Sequence, residues 1–182
     1  MLKKFYTLLV LFLMVIFPVA SQTASPIDLI VILDTSSSMN ASYQQVNTYV
    51  TGPFLREFLR LGDTFHLISF SDAPRTEVVR RIEGVGDMET IIGRLFLMYP
   101  LEPYSDIGGA LDYAERYIAA LPASRQKQVV LITDGDHNPR SGAPTPVPRV
   151  LNSLRGPVVR VTVLSGVSKS LPEPQAGLFE RE

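Results

Sequence analysis

The chain contains no cysteine. That excludes disulfides, thiolate metal sites and lipid attachment through Cys, so outside the cytoplasm stability would have to come from packing or from a bound metal. It also lacks an excess of charge: 17 Lys and Arg stand against 18 Asp and Glu. No basic face follows from that balance, and nucleic acid is not expected as a partner. Internal repeats and low-complexity segments are absent ahead of the C-terminal tail. The one long apolar run is N-terminal, Phe5 to Phe17 interrupted only by Tyr6 and Thr7, and it is short for a membrane span.

That run follows Lys3 and Lys4 and precedes the small residues Val19-Ala20-Ser21, the order of an export signal. Residues 1–21 are therefore expected to be a signal peptide, leaving a new N-terminus near Gln22 and a secreted or periplasmic protein. The alternative is an uncleaved segment, residues 5–20, holding the protein at a membrane. A length of 182 residues with 46% apolar content then suits one α/β domain with a core of its own, expected over residues 26–166, with an irregular tail over 167–182.

Along the domain, Ile27 to Leu33 is almost continuously apolar and β-branched, as in a strand buried on both faces of a parallel sheet. Val46, Val50, Phe54, Phe58 and Leu61 recur at helical spacing between Ala41 and Leu61, with Gly52-Pro53 expected to kink or split that helix. Phe65–Phe70 and Thr76–Ile82 read as an antiparallel hairpin around Ser71-Asp72-Ala73-Pro74, its second strand at a sheet edge. Asp87 is expected to cap a helix through Leu97, and a second amphipathic helix runs from Ser105 or Asp106 to a stop at Pro122. Val129–Ile132 and Val158–Leu164 complete the strands, separated by a Pro-, Gly- and Ser-rich loop from Asp136 to Pro148 and a short helix over Val147–Leu154. This alternation implies a Rossmann-like, doubly wound, mostly parallel sheet with one antiparallel edge strand.

Three polar signatures stand at strand ends or helix starts: Asp34-Thr35-Ser36-Ser37-Ser38, Ser105-Asp106-Ile107-Gly108-Gly109 and Thr133-Asp134-Gly135. Each alone is explained by a capped turn. In a doubly wound sheet, however, ligands bind outside the carboxyl ends of the strands, and all three signatures belong there. Two carboxylates and three hydroxyls at one edge suit a hard divalent cation. The Gly108-Gly109 pair, costly at a helix start, implies a close backbone approach.

In these signatures the chain resembles the von Willebrand factor type A (vWA) domain, the module also seen as the integrin I domain, whose metal-ion-dependent adhesion site (MIDAS) reads Asp-x-Ser-x-Ser, a later Thr, and a later Asp-Gly. Asp34, Ser36 and Ser38 match the first element, Ser105 falls where the family usually has Thr, and Asp134 matches the last. Leu61-Gly62-Asp63 and Ile68-Ser69-Phe70-Ser71-Asp72 resemble the second-strand region. The resemblance spans roughly residues 27–166 and implies a cation, Mg²⁺ first and Mn²⁺ or Ca²⁺ as alternatives, held directly by Ser36, Ser38 and Ser105, with Asp34 and Asp134 acting through water. It further implies adhesion to a protein partner whose acidic side chain completes the coordination, and no catalysis. Two departures stand out: Ser105 lacks the methyl of Thr, and the last helix and strand usual in the family have no counterpart after Val158–Leu164.

Competing readings come from the same residues. Asp134 and His137 have the Asp-x-x-His spacing of SGNH hydrolases, but the Gly-Asp-Ser expected after the first strand is absent. A haloacid-dehalogenase-like phosphatase would need a second Asp where Ser36 stands. His66 reads as structural and His137 as a loop residue. A structural module with an idle metal site, meeting partners through surface patches, is the remaining alternative; the loop residues Tyr99, Tyr104 and 136–148 are expected to rim the site in either case.

Overall fold

The computed structural model describes residues 25–142 and the strand Val159–Leu164. The expected signal peptide, the Val147–Leu154 helix and the tail lie outside the described residues. Among the described residues a five-stranded sheet forms the centre. Its strands are β1 (Ile27–Asp34), β2 (Thr64–Phe70), β3 (Arg75–Arg81), β4 (Gln126–Ile132) and β5 (Val159–Leu164), in the order β3-β2-β1-β4-β5. Only β2 and β3 pair antiparallel; β1 with β2, β1 with β4 and β4 with β5 are parallel. The mostly parallel sheet with one antiparallel edge strand is the architecture the alternation of elements implies.

One face is covered by a helical run and a second helix. The run consists of α1 (Tyr43–Tyr49), a π-helical turn (Val50–Phe54) and α2 (Leu55–Phe58); the second helix is α3 (Val85–Phe96). Pro53 explains the split: proline has no N–H to donate and crowds the preceding turn, and the widened π turn absorbs the break, with the Leu55 N–H reaching the Val50 carbonyl. Phe54, Leu55, Val46, Val50, Ile91 and Leu95 pack on Leu29, Val31, Leu33, Phe65 and Leu67. Each such buried side chain stabilises the fold by about 1.5–3 kcal/mol. On the opposite face α4 (Ile107–Ala119) lays Ile107, Ala110, Leu111, Ala114 and Ile118 against Ile30, Ile32, Ile68, Phe70 and Leu131.

Some boundaries differ from the sequence expectation for polar reasons. β4 begins at Gln126 rather than Val129 because Lys127, though 2% exposed, finds acceptors for its ammonium in the carbonyls of Pro122 (2.6 Å) and Arg125 (2.9 Å). Asp87 caps α3 from inside its first turn, accepting the N–H groups of Glu83 and Gly84. The first helical run ends at Phe58, and Gly62, at φ +90°, carries the chain to Asp63. The Asp63 carboxylate accepts the N–H groups of Ile27 and Arg60 at 2.9 Å each, fixing the loop to the start of β1.

The helices leaving β1 cover one face, whereas α4, which leads into β4, covers the other. The chain thus changes faces between β1 and β4, and the crevice beyond the carboxyl ends of these neighbours is where a doubly wound sheet binds ligands. Asp34 and Thr133-Asp134 stand at that edge.

Candidate functional site

Asp34 ends β1, is 0% exposed and is the hub of the site. Its Oδ1 accepts the Ser36 N–H at 2.9 Å and the Ser36 hydroxyl at 2.6 Å. Its Oδ2 accepts the hydroxyls of Ser105 at 3.1 Å and Thr133 at 2.8 Å. The Ser38 hydroxyl lies 3.0 Å from that of Ser36 and, unlike the buried Ser36, faces solvent. The first signature thus folds back on its own carboxylate, and residues 71 and 99 positions away in the chain meet it there.

Backbone contacts fix the three loops. Thr35 donates both its N–H and its hydroxyl to the Phe70 carbonyl, and the Ser37 N–H donates to the Glu102 carbonyl at 2.7 Å. Ser105 and Asn138 exchange backbone hydrogen bonds in both directions, and Asp106 N–H donates to Ser71. Asp106 is the N-cap of α4, its Oδ1 accepting Gly109 N–H at 2.9 Å. A Cβ at Gly109 would stand 2.5 Å from Asp106 Oδ2, so at Gly109 the close approach expected of the glycine pair is to the helix's own cap. His137 accepts the Ile107 N–H on Nδ1 at 3.2 Å, supplementing that cap.

Electrostatically, Asp34 is a buried carboxylate surrounded by hydroxyls and an amide, and no Lys, Arg or His among the described residues pairs with it. Burial pushes its carboxyl above the ordinary range, against the lowering effect of the hydrogen bonds from Ser36, Thr133 and Ser105. Buried charges are ordinarily paired or coordinate a metal. Among the described residues no three His, Asp or Glu side chains form a metal-binding group, so an ion here would depend on hydroxyl donors. The donor set fits a hard cation: Ser36, Ser38 and Ser105 offer hydroxyl oxygens beside a carboxylate that lacks a counter-charge.

Four of the five expected ligand residues are joined by these hydrogen bonds: Asp34, Ser36, Ser38 and Ser105. Asp134 is placed on the same rim, half-buried, and its Oδ1 accepts the Asp136 N–H at 3.0 Å. The residue sequence reasoning passed over is Thr133, 2% exposed, which donates to Asp34 and accepts the Gly135 N–H at 3.1 Å. Its signal in the sequence is a hydroxyl residue ending an apolar strand ahead of Asp-Gly, which by pattern alone is indistinguishable from part of the turn. His66 is structural, as expected: its Nδ1 lies 2.8 Å from the Tyr117 hydroxyl on the face covered by α4. At the rim, Tyr99 is exposed and Arg140 stacks over the Tyr104 ring at 4.8 Å.

Against known proteins, the model of the von Willebrand factor type A domain matches residues 29–137. An uncharacterized protein of Treponema pallidum (strain Nichols) is 26% identical over 122 residues, 65% of this chain and 55% of that one; the chain therefore spans about half the length of this curated relative. Among solved structures, proximal thread matrix protein 1 from the mussel byssus, with a zinc-occupied MIDAS motif, is 23% identical at a TM-score of 0.61, over 77% of this chain and 38% of that one. The manganese-loaded TRAP protein of Plasmodium vivax is 19% identical at a TM-score of 0.61, over 77% and 57%. At these identities the structural likeness bears on the fold alone.

Proposed function

This chain belongs to the von Willebrand factor type A domain family, and on that premise we propose that it binds one divalent cation at the Asp34 cluster and uses it to hold a protein partner through an acidic side chain. The observation that carries the reading is Asp34 itself, fully buried and without a basic partner among the described residues, with the hydroxyls of Ser36 and Ser105 at its two oxygens. Ser36, Ser38 and Ser105 would hold the ion, with Asp34 and Asp134 supplying charge and orienting waters. When bound, the cation supplies the positive charge that Asp34 lacks and a position open to an incoming carboxylate. Thr133 keeps Asp34 oriented by its hydrogen bond to Oδ2, the kind of outer contact on which metal affinity depends. Oxygen donors favour Mg²⁺ over softer ions; the zinc in the mussel protein and the manganese in the Plasmodium vivax protein support a divalent cation in general.

Binding without turnover is the better reading of the side chains. The Ser36 hydroxyl donates to a carboxylate rather than to an imidazole, and Nδ1 of His137 is occupied by the Ile107 N–H, so the pairing a serine hydrolase requires is not supported. The N-terminal Lys-Lys and apolar run support export. Among the described residues no helix is long and apolar enough to cross a membrane. Calorimetric titration of the purified domain with Mg²⁺, Mn²⁺, Ca²⁺ and Zn²⁺ tests the ion, with one-to-one binding expected. A pull-down from the native source in Mg²⁺ against EDTA tests the bridge, and equal recovery of one partner in both conditions would refute it.

A further inference from the structure

Beside the hydroxyl cluster lies a surface whose composition is unlike that of an ordinary solvated rim. From the end of α3 the chain reads Phe96-Leu97-Met98-Tyr99-Pro100-Leu101, in which Met98 and Pro100 are buried while Phe96 (58% exposed), Leu97 (73%), Tyr99 (68%) and Leu101 (78%) face outward. Four large apolar side chains in six positions are a patch rather than scattered surface residues. The segment is coupled to the candidate cation site by the hydrogen bond from Ser37 N–H to the Glu102 carbonyl. Between this segment and the first helical run lies a groove of about 430 Å³, lined by Phe96, Tyr99 and Pro100 on one side and by Asn40, Gln44 and Asn47 on the other. Tyr43, 6% exposed, also lines it, and its hydroxyl has no hydrogen-bond partner. Tyr99 also lines a second hollow of about 440 Å³ that reaches Thr35 and Glu102, so the groove continues toward the loop that carries Ser36 and Ser38.

We propose that this groove is the docking surface for an extended peptide segment of the protein partner, seating a large apolar side chain against Phe96 and Tyr99 while a nearby acidic residue of the same segment occupies the cation site. The inference rests on the cation-binding reading and specifies its partner. Side-chain amides both donate and accept, so Asn40, Gln44 and Asn47 match the alternating N–H and C=O groups of an extended backbone, and the aromatic wall matches an apolar side chain. None of the residues lining the groove is charged, and the hollow into which it continues sets Asp72 and Glu102 against Arg75 and Arg140, a balance of signs unlike the excess of Lys or Arg expected beside the apolar residues of a lipid-facing surface. The spacing is short: Tyr99 precedes Glu102, whose carbonyl accepts the Ser37 N–H, by three residues, at most roughly 11 Å of chain, which about three residues of an extended peptide span.

Selection of a random twelve-residue peptide library on the whole exported domain in Mg²⁺ is the test. Enriched peptides are expected to combine Asp or Glu with an aromatic or aliphatic residue within about three positions, to be released by EDTA, and to bind at least tenfold more weakly to Tyr99→Ser. Tyr99→Ser should leave the affinity for Mg²⁺ alone unchanged. Enrichment of acidic peptides with no apolar preference, bound equally by Tyr99→Ser, would overturn the groove and leave the cation reading standing. Apolar peptides held equally well in EDTA would overturn the cation reading and with it the composite site. Absence of any enriched sequence would overturn the proposal, with titration of Mg²⁺ alone deciding the cation reading separately. Partition of the domain into phosphatidylcholine vesicles that is lost on Leu97→Ser would reassign the patch to lipid and overturn it as well.

Discussion

Replacing Asp34 by asparagine separates the charge at the site from its shape. In the wild type four donors converge on this carboxylate: the Ser36 N–H and the hydroxyls of Ser36, Ser105 and Thr133. Asparagine retains an oxygen for Ser36, and its amide nitrogen can donate to Ser105 and Thr133, whose hydroxyls accept as readily as they donate. The variant therefore loses about 1 kcal/mol for each of these hydrogen bonds that no longer involves a charged group, while removing a buried charge whose desolvation costs several kcal/mol, which offsets that loss. In EDTA the two proteins should melt within a few degrees of each other. In Mg²⁺ at about a hundred times its dissociation constant the wild type gains roughly 2.7 kcal/mol. At ~2–4 °C per kcal/mol for a chain of this size, its midpoint should rise by about 5–11 °C. The variant should move by less than about 2 °C, an estimate from the same conversion. Scanning calorimetry of both proteins in EDTA and in millimolar Mg²⁺ gives the four midpoints required. An equal rise in both would place the ion elsewhere, and no rise in the wild type with any of Mg²⁺, Mn²⁺, Ca²⁺ or Zn²⁺ would leave the site idle. Asp34→Ala is a poorer probe, since it strips the acceptor from all four donors at once.

Glycines in two helices should respond differently to alanine, although helix propensity alone predicts the same gain for both. Gly93→Ala, in the exposed middle of α3 with nothing within 4 Å of an added Cβ, should stabilise by about 1 kcal/mol, whereas Gly109→Ala must displace the Asp106 cap and should gain nothing, because the cap is itself worth about 1 kcal/mol; urea denaturation distinguishes them, and equal gains would refute the capping account. His66 is held below its ordinary pKa mainly by burial, with Arg125 and Lys127 adding to the lowering and Asp28 opposing it. Its neutral form is favoured on folding, so the associated stability is full above about pH 6.5, the unfolded value, and is lost as the pH falls from there through the lower folded value; an NMR titration placing His66 at or above 6.5 would contradict this. In a secretion-competent host the chain should appear outside the cytoplasm beginning near Gln22; a membrane-bound form with Met1 intact would make the segment an anchor, and a cytoplasmic form with Met1 intact would refute export.

Much of the architecture was legible in the sequence because the relevant forces are local or periodic. The apolar run Ile27–Leu33 defines a strand buried on both faces, the spacing of Ile107, Ala110, Leu111, Ala114 and Ile118 gives one helix face, and Pro53 marks the break between α1 and α2 whatever surrounds it. Asp34, Ser36, Ser38, Ser105 and Asp134 stand out in the sequence as candidates because the resemblance assigns them to a site and because strand ends and helix starts can be placed from pattern. What the sequence left undecided depends on which groups become neighbours after folding. Lys127 and Gln128 conceal the start of β4, since nothing local shows that an ammonium will find the Pro122 and Arg125 carbonyls. Thr133 joins the site only because β4 lies beside β1 in parallel register, bringing its hydroxyl to an Asp34 oxygen 99 residues away. Gly109 reads as a helix defect until the Asp106 carboxylate is seen occupying the space a Cβ would need. The exposed apolar run from Phe96 to Leu101 acquires meaning only when the Ser37–Glu102 hydrogen bond fastens it beside the serine loop. Periodicity and turn chemistry determine which elements form and where they stop; the three-dimensional packing of those elements determines which buried charges lack a partner and which surfaces adjoin them.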